Sequence, residues 1–323
     1  MDTNVIGVTF YIMHHIYFRW PLEILFEMSA DSVNTVDSES RSMHGKTFIE
    51  ITIVGEDKKG IVADVTKHIF KNGGNIEKIN QNVVKGLFGM HLEASFQKIS
   101  ESKVKKELAD LSNRLKMEIK IHFHEENKVK NVAIFVSKED HCLLRILNSV
   151  SKGEISSNVS MIIGSDEKLK SIADSYRIPF FYIDHVNHNE AENRILQLVD
   201  QFEIDLIVLA RYMRILTPNF VWRYPNRIIN IHPSLLPAFP GAFAYVQAYE
   251  RGAKIIGCTA HFVTEDLDQG PIIIQESFKV LPNDTLETIK IKGQSAESTA
   301  LLEAVKLFLN DKIEVYWGKV NFK

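Results

Sequence analysis

The chain has 323 residues, 45% hydrophobic and 24% charged, which is long enough for two domains and apolar enough to bury a core in each. A formal net charge of -3 excludes the broad basic surface that nucleic-acid binding needs. The two cysteines, Cys142 and Cys258, are too few for a disulfide framework; they suit a reducing, cytoplasmic setting as small buried hydrophobes.

Residues 1–46 read as an extension. Val5 to Phe26 is apolar and aromatic, but His14, His15, Arg19 and Pro21 interrupt it, and no run reaches the ~20 apolar residues of a membrane span. The extreme N-terminus carries Asp2 and no basic residue, unlike a secretory signal. Ser29 to Ser42, rich in Ser and Asp, is expected to be disordered. The segment is either loosely attached or lies ahead of a start at Met28 or Met43, with an amphipathic helix for a partner as the alternative.

Residues 47–124 form the first expected domain. Phe48 to Val54 alternates as a strand, Gly55 to Gly60 turns, and Ile61 to Phe70 is apolar at helical spacing until Asn72-Gly73-Gly74-Asn75 stops it. Ile76 to Val84 and Leu87 to Phe96 pair as a hairpin across Lys85-Gly86, Glu101 to Leu115 is an amphipathic helix, and Met117 to Phe123 closes the domain. This ferredoxin-like βαββαβ order, with D-x-x-G-I-V at Asp57 to Val62, resembles the ACT family of amino-acid-sensing modules. The resemblance implies pairing through sheets in a homo-oligomer and an amino-acid effector near Asp57 and Gly60. A dimerisation module without ligand is the alternative.

Glu125 to Lys130 is the expected linker, and residues 130–323 the second domain. Val129 to Val136, Val159 to Ile163, Phe180 to Ile183, Leu206 to Ala210 and Ile228 to His232 are short apolar runs between helical stretches. Continuous hydrophobicity implies strands covered on both faces, so the expected fold is α/β, a doubly wound, mostly parallel sheet. Ligands of such sheets sit beyond the carboxyl ends of the strands. The loop Ser137 to Cys142 has no glycine, which argues against a dinucleotide or P-loop phosphate site. Arg211 to Leu216 follows the fourth strand, with Met213 and Ile215 open to a core role. Ala242 to Arg251 reads as a helix, Cys258 to Val263 and Ile272 to Phe278 as strands, and Asn283 to Leu309 as a closing helix that Asp284 can cap.

The chemistry concentrates at Asn230 to Gly241, NIHPSLLPAFPG, where a strand breaks into a loop stiffened by Pro233, Pro237 and Pro240. Alternation puts Asn230 and His232 on one face. His232 can pass protons near neutrality, and Asn230 offers an amide N–H to an oxygen gaining charge. If Asp268, in the acidic loop Thr264 to Pro271, points at His232, a carboxylate, an imidazole and an amide surround one point, a set suited to acyl chemistry with water or an amine as nucleophile. The spacing of His232, His261, Asp266 and Asp268 matches no zinc signature, so neither metal nor bound cofactor is expected.

NIHPSLLPAFPG and HFVTEDLDQGPIIIQ, beginning at His261, resemble the tetrahydrofolate-dependent formyltransferase family, whose catalytic Asn, His and Asp fall on Asn230, His232 and Asp268. Within it, SKEDHCLL from Ser137, DLIVLARYMRILTPNF from Asp205 and AYERGAKIIGCTAHFV from Ala248 resemble the deformylase branch. The resemblance implies hydrolysis of 10-formyltetrahydrofolate to formate and tetrahydrofolate, supplying formate for purine biosynthesis and balancing one-carbon pools. It places folate against Met213, Arg214, Ile215 and Leu216, with Leu236 to Phe239 as the other wall, and suggests methionine and glycine as effectors. The sequence departs from the branch's pattern at Phe243, Ala244 and Val246, at Gln294 and Ser295, at Arg145 and at His91, which leaves substrate and assembly open to change. A formyltransferase onto a small amine and a non-catalytic folate or amino-acid sensor are the alternatives.

Overall fold

The computed structural model describes residues 46–97, 100–123, 128–241 and 243–323. Nearly all of the expected extension, half of the expected linker and Ala242 lie outside the described residues. Among the described residues no helix is long and apolar enough to cross a membrane.

In β1 (Thr47–Glu56), Ile49, Ile51 and Ile53 alternate onto one buried face. Ile61, Val65 and Ile69 are four apart in α1 (Ile61–Lys71), so the helix lays one stripe on that face. β2 (Gly74–Val84) and β3 (Leu87–Phe96) are joined by Lys85 and Gly86, both at positive φ as tight hairpin turns require. α2 (Glu101–Leu115) buries Val104, Leu108, Leu111 and Leu115, and β4 (Glu118–Phe123) completes an antiparallel sheet of order β2-β3-β1-β4. The expected ferredoxin-like order is present.

The second sheet holds β5 (Lys130–Val136), β6 (Ser157–Gly164), β7 (Phe180–Tyr182), β8 (Leu206–Ala210), β9 (Ile228–His232), β10 (Ile255–Phe262) and β11 (Ile272–Lys279). Its order is β11-β10-β9-β8-β5-β6-β7, parallel from β7 to β9 and antiparallel at β10 and β11. The helices are α3 (His141–Ser151), α4 (Lys170–Ser175), α5 (His188–Gln201), α6 (Pro218–Val221), α7 (Ala244–Glu250) and α8 (Leu286–Leu309). Ile134, Val208, Ile229 and Ile231 pack with α3 and α8, while Phe135, Ile207, Leu209 and Ile228 pack with α5 and α6 on the opposite face. Burial on both faces accounts for the unbroken apolar runs.

Two local expectations are corrected and one element is added. Thr285, not Asp284, caps α8: its Oγ1 accepts from Thr288 N at 3.3 Å while Thr288 Oγ1 accepts from Thr285 N at 2.8 Å. Asp284 instead accepts from Leu281 N and from Lys292 Nζ. α7 starts at Ala244 because Phe243, at φ 61°, has left-handed backbone. A C-terminal hairpin of β12 (Ile313–Tyr316) and β13 (Lys319–Phe322), turning at Trp317-Gly318, was not expected.

The two sheets meet at Trp222, whose ring lies so close to Gly89 that a Cβ there would fall 2.3 Å from Cε3. Arg227 to Glu50 (2.6 Å), Arg223 to Glu118 (2.8 Å) and Lys120 to Asp200 (2.5 Å) span the same junction. Gly89→Ala is expected to cost about 1–3 kcal/mol of unfolding free energy by overpacking against the indole. Denaturant unfolding followed by tryptophan fluorescence reads it, and an unchanged midpoint contradicts the contact.

Candidate active site

At the end of β9, Ile229 and Ile231 point toward α3 and α8, so Asn230 and His232 project from the opposite face. β10 runs antiparallel beside it with Thr259 opposite His232 and His261 opposite Asn230. The loop after β10 turns back tightly: a Cβ on Gly270 would lie 1.7 Å from Phe262 O, so only glycine fits. That turn delivers Asp268, itself at φ 57°, under His232.

The three expected residues converge. Asp268 Oδ2 lies 3.3 Å from His232 Nδ1 and accepts from Gly241 N at 3.0 Å; both side chains are buried. His232 Nε2 lies 3.0 Å from Phe239 O. Both ring nitrogens therefore face acceptors, and only the doubly protonated ring donates to both. His261 has the opposite disposition. Its Nδ1 donates to Phe262 O at 2.9 Å, which leaves Nε2 to accept from Asn230 Nδ2 at 3.2 Å. Burial pulls its pKa below the ordinary histidine value, outweighing the Phe262 carbonyl and Asp268, which keeps the ring neutral. His261 thus fixes which way the Asn230 amide points, and the second N–H of Nδ2 is available to the cavity. In the sequence His261 stands only as a candidate metal ligand, because cross-strand register is not readable from one strand.

Asn230, His232 and Asp268 line a cavity of about 540 Å³. Met213, Arg214, Ile215 and Leu216 line it too. Met213 is 60% exposed and Ile215 64%, so neither takes the core role left open for it; Leu216 is the one that joins the core. Leu236 and Phe239 are a correction, since neither lines the cavity. Leu236 is buried, its N–H bonded to Thr259 Oγ1 and its carbonyl to Gln275 Nε2, and the Phe239 ring turns away to stack under Arg251. The second wall comes instead from Gly241, Phe243 and the loop from Val263 to Leu267. Asp57 and Gly60 are outside this cavity, at the start of α1, where Gly60 takes φ 92°.

Farther along the wall, Glu139, Arg211, Tyr245, Gln294 and Glu297 also face the cavity. Donor atoms of His141, Cys142 and Glu297 lie within 4.8 Å of one another, close enough for a metal. The chemistry of the set does not fit one. Glu297 already accepts from Tyr245 Oη and His141 Nε2 beside the Arg211 cation, and burial, reinforced by Glu297, holds the Cys142 thiol well above its usual range.

The model of the family described as Formyl transferase matches residues 130–305, and an ACT domain model matches residues 47–122. The formyltetrahydrofolate deformylase of Bacillus subtilis (strain 168) is 40% identical over 269 residues, covering 81% of this chain and 89% of that one. The chain belongs to the formyltetrahydrofolate deformylase family. A crystal structure of a formyltetrahydrofolate deformylase from Pseudomonas syringae pv. tomato matches with a TM-score of 0.60 at 30% identity, over 86% of this chain and 94% of that one. A glycinamide ribonucleotide transformylase from Symbiobacterium toebii matches with a TM-score of 0.58 at 31% identity, over 62% of this chain and 96% of its own.

The departures from the deformylase pattern fall in two groups. Phe243, Ala244, Val246 and Gln294 line the cavity, with Gln294 hydrogen-bonded to Glu139. Ser295 and Arg145 are exposed on helices outside the lining, and His91 is buried in the small sheet between Thr52 and Glu93. A neutral, buried His261 also has a thermodynamic signature in this deformylase. Its folded pKa is below the unfolded value of 6.5, so the unfolded chain binds the extra proton first and stability falls as pH drops below that value. His261→Asn is expected to flatten this acid-side decline in thermal melts between neutral and mildly acidic pH. An unchanged slope contradicts the neutral assignment.

Proposed function

We propose that the cavity binds 10-formyltetrahydrofolate and that Asn230, His232 and Asp268 hydrolyse its formamide to formate and tetrahydrofolate. The observation that carries the reading is the convergence of one carboxylate, one imidazole with acceptors at both nitrogens, and one amide oriented by His261. The exposed side chains of Met213 and Ile215 cover the pterin face, and backbone groups at Arg214 and Leu216 meet its edge.

In this mechanism Asp268 takes a proton from the attacking water as its oxygen bonds to the formyl carbon. The Asn230 amide N–H stabilises the oxyanion, and a donor in that role is typically worth about 3 kcal/mol of barrier. The carbon–N10 bond then breaks as protonated His232 gives its proton to N10. Asp268 returns the water's proton to His232 across the 3.3 Å contact, and the formic acid loses its own to solvent. The groups named supply every proton transfer, so the chemistry is complete with these side chains and the substrate.

Asp268→Asn is expected to lower formate release by roughly 10²–10⁴-fold, the usual contribution of a positioned base. Asn230→Ala is expected to lower kcat by about 10²-fold with KM little changed, because its bond strengthens only in the transition state. Formate assay without any acceptor measures both, and near-wild-type turnover of Asp268→Asn contradicts the assignment.

The small domain is read as an amino-acid sensor, with methionine or glycine held near Asp57 and Gly60. The chain offers a route to the site. Asp57 N donates to Gly86 O at 2.8 Å in the β2–β3 turn, and Asn82 on β2 donates to Glu265 Oε1 at 3.0 Å. Glu265 lines the cavity in the loop that carries Asp268. β2 is also an edge strand with Ile79, Val83 and Val84 exposed, which suits pairing with a second copy. An effector is expected to raise the melting temperature and change kcat, and Asn82→Ala to abolish the second effect while keeping the first. No response to any amino acid contradicts the sensor reading.

A further inference from the structure

The catalytic cavity has two chemically different sides. Residues 212–216 and the loop after β10 form one, on the face packed by α5 and α6. The other belongs to the α3, α7 and α8 side and is a hydrogen-bonded set around Glu297. Tyr245 Oη donates to Glu297 Oε1 at 2.7 Å, and His141 Nε2 lies 2.9 Å from Glu297 Oε2. Arg211 Nε lies 3.5 Å from that same oxygen and donates, with Nη2, to the two oxygens of Glu139 at 3.1 and 3.0 Å.

This set is built to stay in place. Glu297 is fully buried, and Arg211 sits at φ 62°, a left-handed backbone that aims its side chain across the strand ends. The hydroxyl end of the Tyr245 ring packs on α8 against Gly293, where a Cβ would fall 2.3 Å from Cζ and 2.4 Å from Oη. Burial, reinforced by Glu297, pushes that phenol's pKa up, so it remains a neutral donor. A buried network with its members bonded to each other is rigid and costly to open.

We propose that Tyr245, locked by Glu297 and Arg211, makes this site a hydrolase by occupying the space that an amine acceptor needs. The proposal rests on the hydrolytic reading above. The same fold serves a protein whose name assigns it formyl transfer to glycinamide ribonucleotide, so the formyl carbon of this fold can be reached by an amine. An amine is a better nucleophile than water, and the carboxylate, imidazole and amide would serve either one. Selection between them therefore falls to access, and Tyr245 is the ring-sized side chain of that wall. In the transfer reaction the carbon–N10 bond would break, a carbon–nitrogen bond to the amine would form, and the proton lost by the amine would pass through Asp268 and His232 to N10. Tyr245 is thus a specificity residue that touches neither reacting atom.

The test uses the full chain, 10-formyltetrahydrofolate and glycinamide as probe amine, with formate and formylglycinamide quantified together. The wild type is expected to yield formate equal to the substrate consumed, with or without glycinamide. Tyr245→Ala is expected to yield formylglycinamide about tenfold or more above the no-enzyme background at which the wild type stays, the discrimination that a change in pocket volume gives. Tyr245→Phe keeps the ring and is expected to keep the wild-type ratio. A Tyr245→Ala protein that melts cooperatively and still yields formate alone overturns the proposal. So does a wild type that formylates the amine, an outcome readable even if the alanine variant fails to fold. A wild type that releases no formate without amine instead sinks the hydrolytic reading itself.

Discussion

His232 sits between a carbonyl and a carboxylate, Phe239 O on one nitrogen and Asp268 Oδ2 on the other, and the remaining structure can be understood as what holds those two acceptors in place. Phe239 belongs to the loop that leaves β9, and Asp268 to the loop that returns from β10, so both reach one imidazole only because β9 and β10 are neighbours. The loop from β9 is tied back onto β10 through Leu236 and Ser234, both bonded to Thr259. The Asp268 loop is closed at Gly270 and anchored by the Gly241 N–H. Phe239, Phe243, Arg211 and Asp268 all take positive φ around the site. Left-handed backbone at non-glycine residues persists only where the surroundings over-determine it, and here it is spent on aiming side chains and carbonyls at one cavity.

That constraint also explains how one sheet supports two kinds of wall. Side chains alternate across β9, so Asn230 and His232 face the α5–α6 side while Ile229 and Ile231 seal the α3–α8 side. The cavity at the strand ends borders both. One side is open and presents the exposed Met213 and Ile215, suited to a flat aromatic ring; the other is polar, ionic and filled. The small sheet joins through Trp222 at one end of the junction and through Asn82 at the cavity loop. A change in β2 therefore has a short covalent and hydrogen-bonded path to Asp268.

Much of this was legible in the sequence. Residues 132–136 of β5 and 206–210 of β8 are unbroken apolar runs because both faces are covered, and Asn230 and His232 share a face by alternation alone. Asp268 required the family resemblance, since nothing in its own loop says which residue it approaches. The partner of Asn230 was hidden because His261 reaches it across a strand pair whose register depends on the fold. The filled wall was hidden for a similar reason: Glu139, Arg211, Tyr245 and Glu297 come from four separate segments. Leu236 and Phe239 were misplaced because a proline-rich loop has no periodicity from which direction can be read. Asp284 and Thr285 are both residue types that cap helices, and the reciprocal bond from Thr288 decides between them.

The central claim is that the Asn230, His232 and Asp268 cluster directs water at a formyl carbon. The direct measurement is turnover of 10-formyltetrahydrofolate by the purified chain in ¹⁸O-labelled water, without any amine, with formate read by mass. Formate carrying one solvent oxygen, released in step with tetrahydrofolate, is the predicted result. Unlabelled formate, or no formate at all, would contradict it.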